Sequence, residues 1–234
     1  MTRLINTSTP FQAFKLIMQH INDKGELNVS EDGDECLEID TLIVRMSQPT
    51  KNHDKLTNVY CLGENGTRYY KEQLCEGKHI KKDNPDDEAE YTYFGRLNSY
   101  DFPECYDKVN QINNIMDKLK ESPSTRRAVA VTWQPWIDIY SNDPPCMDFL
   151  KFNIRKNNLN LRVVFRSHDL LKGWPGNIMA LSDLLESKAN YLNLNIGFLE
   201  IVSYDGHVYI ASDIDLFVKT LDRLNIKGGR YGKS

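Results

Sequence analysis

Apolar side chains recur every three or four positions in three stretches of the chain, which is the spacing of one helix face. The first stretch covers residues 11–21, after Thr9-Pro10 and before Gly25. A threonine followed by a proline is typical of a helix start, and a glycine of a helix end. We therefore expect the first element of the chain to be this helix. Residues 109–119 and 178–185 predict two more helices.

Other segments predict strands and loops. Residues 37–46 and 128–133 are rich in β-branched side chains, and each predicts a strand. Residues 65–74 predict a further helix. The highly charged residues 77–90 carry no periodic apolar pattern, so we expect a loop there.

Two hairpins are expected in the second half of the chain. Apolar residues alternate over 150–154 and 159–165, and Lys156-Asn157-Asn158 between them is typical of a hairpin turn. Residues 198–210 contain Asp205-Gly206 between two short apolar runs, which predicts a second hairpin. Hairpin connections make neighbouring strands antiparallel.

These elements predict one α+β domain over residues 1–234, with a mainly antiparallel, twisted β-sheet flanked by helices. No internal repeat or Pro/Ser-rich linker divides the chain. With 234 residues, 40% hydrophobic and 26% charged, the chain can bury a sizeable core and needs neither metal nor disulfides to fold.

Charge and cysteine content limit the possible functions. A net charge of -4 argues against a surface for a nucleic acid polymer or an anionic membrane, and favours a small anionic ligand bound by a few arginines. We expect a soluble, cytoplasmic protein, because no apolar signal or membrane-spanning run occurs and no cysteine spacing suits zinc or a disulfide framework. The five cysteines are Cys36, Cys61, Cys75, Cys105 and Cys146.

Cys146 is the candidate nucleophile. It follows Pro144-Pro145, and about twenty residues later the chain presents Arg166-Ser167-His168-Asp169. Guanidinium groups stabilise a thiolate and also bind phosphate, so we expect them to lower the pKa of Cys146. The alternative is an ordinary buried thiol, which we assume for the other four cysteines.

Five motifs in order resemble the thymidylate synthase family, which includes deoxypyrimidine hydroxymethylases. The resemblance covers roughly residues 91–217, and the N-terminal third matches poorly. Tyr91-Thr92-Tyr93-Phe94-Gly95-Arg96-Leu97 and Phe165-Arg166-Ser167-His168-Asp169 resemble the short archaeal-type and phage-type branches. The five motifs are Arg126-Arg127, Pro144-Pro145-Cys146, Arg166-Ser167-x-Asp169, Pro175-x-Asn177 and His207-x-Tyr209.

The resemblance implies a role for each matched residue. Cys146 would attack carbon 6 of a pyrimidine nucleoside monophosphate. Arg166 and Ser167 would hold its phosphate, joined by Arg126 and Arg127 from the partner subunit of a homodimer. The remaining implied roles are uracil recognition by Asn177, binding of the deoxyribose 3′-hydroxyl by His207 and Tyr209, ordering of backbone and water by Asp169, and proton transfer by Glu72, with Glu64 as its rival.

The implied reaction is methylation of dUMP with 5,10-methylenetetrahydrofolate, or a methanopterin analogue, and no metal. Hydroxymethylation of dUMP or dCMP by the same donor is the alternative. Two departures bear on it: Met147 follows the nucleophile where bacterial synthases have histidine, and residues 77–90 contain no tryptophan to keep water from the intermediate. A third hypothesis is that the protein is a non-catalytic relative that binds a nucleotide or RNA.

Overall fold

The computed structural model describes residues 2–77, 91–103 and 107–232. In these ranges, one β-sheet is flanked by helices. The strands are β1 (Thr2–Thr7), β2 (Glu26–Val29), β3 (Glu35–Met46), β4 (Val129–Val131), β5 (Met147–Arg155), β6 (Asn158–Phe165), β7 (His168–Asp169) and β8 (Asn195–Tyr209). The helices are α1 (Pro10–Lys24), α2 (His53–Val59), α3 (Gly63–Lys71), α4 (Tyr93–Asn98), α5 (Gln111–Glu121), α6 (Pro135–Asp138), α7 (Trp174–Tyr191) and α8 (Ile210–Arg223).

The sheet has the strand order β1-β3-β8-β6-β5-β4, with β2 paired to β3 and β7 paired to β8. The predicted α+β fold with one helix-flanked sheet is confirmed. Within the described residues, four strand pairings are antiparallel and three are parallel, so the sheet is mixed. The parallel pairings join β1 to β3, β6 to β8 and β7 to β8.

Helix α1 forms where the sequence predicts it. Thr9 caps its first turn in a capping box with Gln12, and Pro10 occupies the first helical position. Its buried face packs towards α7, where Phe14 stacks on Trp174 with ring centroids 6.1 Å apart. The prediction that this helix is the first element is wrong, because β1 precedes it. Only Ile5 of β1 is buried, so the strand lacks the alternation that would have revealed it.

The two expected hairpins have different outcomes. Strands β5 and β6 form the first, with Lys156 and Asn157 in the left-handed conformation that a tight turn requires. The second prediction is wrong, because β8 continues through Asp205-Gly206 as a single strand. Both halves of β8 pair with β3 instead of with each other, and Asp205 takes its positive φ inside the strand.

The other element predictions are largely confirmed. Helices α5 and α7 and strands β3 and β4 overlap the segments where they were expected, and α7 is longer than expected at both ends. Helix α3 begins at Gly63 and continues as a π-helical turn over Glu72–Glu76. The predicted loop lies outside the described residues from position 78 to position 90. Across the described ranges, no helix has both the length and the apolar composition of a membrane span.

Candidate active site

A cavity of about 200 Å³ opens beside the first residue of β5, the last residue of β6 and the start of α7. The first turn of α7 forms one wall and α3 another. We call it the base cavity, after the pyrimidine base that we expect from the sequence near Cys146 and Asn177. It is lined by Tyr69, Tyr70, Gln73, Tyr91, Tyr93, Asp143, Cys146, Ser167, His168, Asp169, Gly173 and Asn177. Four residues that the sequence singled out, Cys146, Ser167, Asp169 and Asn177, are therefore brought together.

Arg166 holds the turn that carries Cys146. Its guanidinium donates to the carbonyl oxygens of Pro144 and Pro145 at 2.8 and 2.9 Å, and its backbone N–H donates to the Cys146 carbonyl at 2.8 Å. The same guanidinium lies 4.0 Å from Cys146 Sγ. Two prolines cannot donate backbone hydrogen bonds, so the turn depends on these acceptor contacts for its position.

Burial raises the pKa of Cys146, and the nearby Arg166 guanidinium lowers it by less. Arg166 lowers this pKa as expected, but the desolvation of the buried thiol is the larger effect, so the net shift in a single chain is upward. Burial also raises the pKa of Cys61 to about 11 and of Cys75 to about 12. Their thiols lie near backbone carbonyls. Cys105 lies outside the described residues.

Asn177 and His168 form a buried polar pair in the wall of the base cavity. Asn177 Nδ2 lies 3.2 Å from His168 Nε2, and His168 Nδ1 lies 2.9 Å from Ser203 Oγ. Burial lowers the pKa of His168 to about 3, so its imidazole is neutral. Asn177 is 5% exposed, and its Oδ1 has no hydrogen-bond partner among the described residues.

Asp169 shapes the chain that leads into α7. Its Oδ1 accepts hydrogen bonds from the backbone N–H groups of Leu171 and Lys172, at 2.9 and 2.8 Å. Burial raises the pKa of its carboxyl group. The carboxylate thus fixes local backbone at the edge of the base cavity.

A second cavity, of about 500 Å³, lies next to the first, and we call it the phosphate cavity after the phosphate that Arg166 and Ser167 are expected to hold. Ser167 lines both. His207 and Tyr209 are two residues apart on β8, and their rings meet edge to face with centroids 4.7 Å apart. Arg166 is the cation in this lining, which also carries four carboxylates. The described residues that line it are Asn28, Ser30, Glu31, Asp32, Cys36, Glu38, Arg166, Ser167, Asp205, His207 and Tyr209.

Comparison with known proteins decides the family. The family model described as thymidylate synthase matches residues 51–227. The chain belongs to the thymidylate synthase family. Residues 1–50 lie outside that match, in agreement with the weak resemblance of the N-terminal third.

Curated relatives agree with this family assignment. Proteins described as "Putative thymidylate synthase" from Methanosarcina barkeri and Methanococcoides burtonii are 30% and 34% identical to this chain, over 88% of it and 89% of each relative. One from Methanocaldococcus jannaschii is 32% identical, over 88% of this chain and 90% of the relative. The family supports a one-carbon transferase with a nucleotide substrate and a folate-type co-substrate.

Three sequence-predicted residues of this thymidylate synthase-family chain are not brought to either cavity. Arg126 and Arg127 are exposed, just before β4. Glu72 is partly buried in the π-helical turn. The residues of this helical segment that line the base cavity are Tyr69, Tyr70 and Gln73, and Glu72 is not among them. Glu64, its rival, lines a separate surface pocket.

Sequence reasoning missed the tyrosines of the base cavity. The Tyr93 hydroxyl accepts the backbone N–H of Met147 at 3.1 Å, directly behind the nucleophile, and its ring lies 5.6 Å from that of Tyr91. Tyr91 and Tyr93 both belong to a motif that resembles the family, but the resemblance gave neither residue a functional role. Tyr70 packs against Gly176, where a Cβ atom would lie 2.0 Å from the ring. Tyr70 and Gln73 are three residues apart in a predicted helix, and this i, i+3 spacing is the sequence pattern that could have placed them on one face.

No group of three or more His, Cys, Asp or Glu side chains within the described ranges could hold a metal ion.

Proposed function

We propose that this protein methylates carbon 5 of dUMP to give dTMP, with 5,10-methylenetetrahydrofolate or a related pterin as the carbon donor. One observation carries the proposal: the Cys146 thiol shares a cavity with the buried Oδ1 of Asn177, which has no hydrogen-bond partner among the described residues, and Arg166 lies 4.0 Å from the sulfur. A nucleophile, a hydrogen-bonding group for a base and a cation for phosphate are thus adjacent.

The chemistry begins at Cys146. Its thiolate forms a bond to carbon 6 of uracil, and the electrons of the carbon 5–carbon 6 double bond move onto oxygen 4. Carbon 5 would then bond to the one-carbon unit of the pterin and lose its proton, and the bond from that carbon to the pterin nitrogen would break with its electron pair left on the nitrogen. Elimination breaks the sulfur–carbon 6 bond and restores the thiol nucleophile. The pterin co-substrate supplies the one-carbon unit and, for methylation, the hydride.

The two cavities suit the two ends of the nucleotide. The base would occupy the base cavity against Asn177, with the sugar and phosphate in the phosphate cavity. Ser167 lies where the cavities meet, and His207 and Tyr209 present polar groups on the sugar side. Arg166 spans from the Cys146 turn to the phosphate cavity, so it can act on both the sulfur and the phosphate.

A homodimer would complete the phosphate cavity. The described residues of its lining carry one guanidinium and four carboxylates, and this net negative charge is unfavourable for binding a phosphate dianion. Arg126 and Arg127 are exposed on the same chain and are available to a partner. We propose that each subunit lends these two arginines to the other's phosphate cavity.

An apolar row on the sheet supports the dimer. Paired residues on successive strands place five partly exposed apolar side chains in line across the sheet. A continuous apolar band of this kind is typical of a protein interface. The row is Ile43, Val202, Val164, Phe149 and Val131.

The base cavity has a lining that suits a flat pterin. Tyr69, Tyr70 and Tyr91 offer aromatic rings beside the nucleophile. Their hydroxyls and the Gln73 amide can also hold water, and this observation favours hydroxymethylation of dUMP or dCMP as the second candidate.

The four cysteines of the described residues are free, which supports a reducing, cytoplasmic location.

Product analysis tests the proposal. Purified protein is incubated with methylenetetrahydrofolate and either dUMP or dCMP, and products are separated by chromatography while dihydrofolate absorbance is followed. Formation of dTMP in step with dihydrofolate supports methylation, and a 5-hydroxymethyl product without dihydrofolate supports the second candidate. Cys146→Ser should abolish turnover, whereas Cys61→Ser, which removes a thiol outside both cavities, should retain it. Full activity in Cys146→Ser would contradict the proposal.

A further inference from the structure

A buried chain of three polar side chains lies behind the base cavity. Ser203 on β8 contacts His168 Nδ1 at 2.9 Å, and His168 Nε2 contacts Asn177 Nδ2 at 3.2 Å. His168 also stacks on Phe165, with ring centroids 3.9 Å apart and nearly parallel planes. Ser203 is fully buried and His168 is 2% exposed, so both side chains are enclosed by packed neighbours.

The chemistry of these atoms fixes the direction of each hydrogen bond. An amide nitrogen can only donate, so Nε2 of His168 must accept from Asn177. A neutral imidazole that accepts at Nε2 carries its proton on Nδ1, and that proton is donated to Ser203 Oγ. Burial keeps the ring neutral, because it lowers the pKa of His168 to about 3.

The direction of these bonds determines what Asn177 presents to a base. With one N–H committed to His168, the amide offers Oδ1 as an acceptor and its second N–H as a donor. Uracil presents a ring N–H and the acceptor oxygen 4 beside it, which match this order. Cytosine presents a ring acceptor and an amino donor, which match the same amide only after it is rotated by half a turn. An asparagine therefore distinguishes the two bases only if its orientation is fixed.

We propose that His168 is a positioning residue that locks the Asn177 amide in the orientation complementary to uracil, and that it thereby sets the preference for uracil over cytosine nucleotides. This inference rests on the proposed function, because it concerns the base that the same cavity binds. Ser203 and Phe165 act through His168. The Ser203 hydroxyl favours the His168 tautomer that carries its proton on Nδ1, and the stacked Phe165 ring fixes the plane of the imidazole.

The first test measures base discrimination by calorimetry. Dissociation constants for dUMP and dCMP are compared in wild type, His168→Phe and His168→Gln. Phenylalanine keeps the stacked ring but removes the acceptor, so the dUMP preference should fall about tenfold. Glutamine can return an acceptor oxygen near the Nε2 position, so the preference should recover. Affinity for deoxyribose 5-phosphate, which lacks a base, should stay at the wild-type level in all three proteins.

Two further measurements keep the inference testable if His168→Phe does not fold. Ser203→Ala removes the acceptor of the Nδ1 proton, and it should also lower the dUMP preference. Nitrogen-15 NMR of histidine-labelled wild-type protein, with His168→Gln to assign the signal, should show the proton on Nδ1 of His168 and none on Nε2.

An unchanged dUMP preference in folded His168→Phe, or in Ser203→Ala, would overturn the inference while leaving the proposed function intact. A proton on Nε2 would also overturn it. If wild-type protein binds neither nucleotide, the proposed function fails instead, and the NMR measurement still decides the His168 tautomer.

Discussion

Gly176 is the position where a single methyl group should disturb the base cavity most. It lies in the first turn of α7, and a Cβ atom there would be 2.0 Å from Cδ2 and 2.5 Å from Cγ of Tyr70. Carbon atoms pack at about 3.5–4.0 Å, so the Tyr70 ring would have to move by about 1.5 Å or more. The ring is confined on one side by Tyr69, whose centroid lies 5.2 Å away.

We expect Gly176→Ala to destabilise the protein by about 1–3 kcal/mol, which is the usual cost of overpacking. In a Tyr70→Ala background the clash is gone, and the same substitution should stabilise α7 by up to about 1 kcal/mol, since alanine is the better helix former. The coupling energy between the two sites should therefore be about 2 kcal/mol or more.

Urea unfolding of the wild type, both single variants and the double variant, followed by circular dichroism, gives the four free energies of unfolding. A Gly176→Ala protein more stable than wild type would refute the reasoning, as would a coupling energy below about 0.5 kcal/mol. Activity should fall with stability in Gly176→Ala, because the displaced ring belongs to the base cavity.

Two other predictions concern charge. Burial raises the pKa of Asp148 to about 6, so ionisation opposes folding and stability is lost as pH rises through that value. After allowance for solvent screening, the Asp148→Asn protein should be about 1 kcal/mol more stable than wild type at about pH 8 and no more stable than wild type below about pH 4. Urea unfolding at several pH values measures this difference, and a difference that does not change with pH would contradict the prediction. If arginines are shared between subunits, mixing inactive Arg126→Ala and Cys146→Ser chains should restore up to about a quarter of wild-type turnover through hybrid dimers. No recovery in a mixture shown to exchange subunits would count against shared sites.

Local patterns predicted the local parts of the fold. The Thr9-Pro10 cap and the apolar spacing after it are properties of one segment, and α1 forms as expected. The Asp205-Gly206 signal misled because a turn sequence folds back only if its flanks pair with each other. In β8 both flanks pair with β3, a choice made by tertiary packing that no local pattern reveals.

At the candidate site, too, sequence patterns predicted some features, and others depend on tertiary packing. Motif order placed Cys146, Ser167, Asp169 and Asn177 correctly in one cavity. Glu72 does not line that cavity, and its role in proton transfer stays a prediction, because which face of a helix meets a cavity depends on how the helix packs. The pKa of Cys146 was also beyond sequence reasoning, since it balances burial against a charge at 4.0 Å.

The most direct test of the central claim is mass spectrometry of the protein incubated with 5-fluoro-dUMP and methylenetetrahydrofolate. Fluorine at carbon 5 cannot leave as a cation, so a covalent complex formed by attack on carbon 6 cannot proceed to product. We expect a mass increase equal to nucleotide plus co-substrate, located on the peptide that contains Cys146 and absent from Cys146→Ser. An unmodified protein, or an adduct on another cysteine, would contradict it.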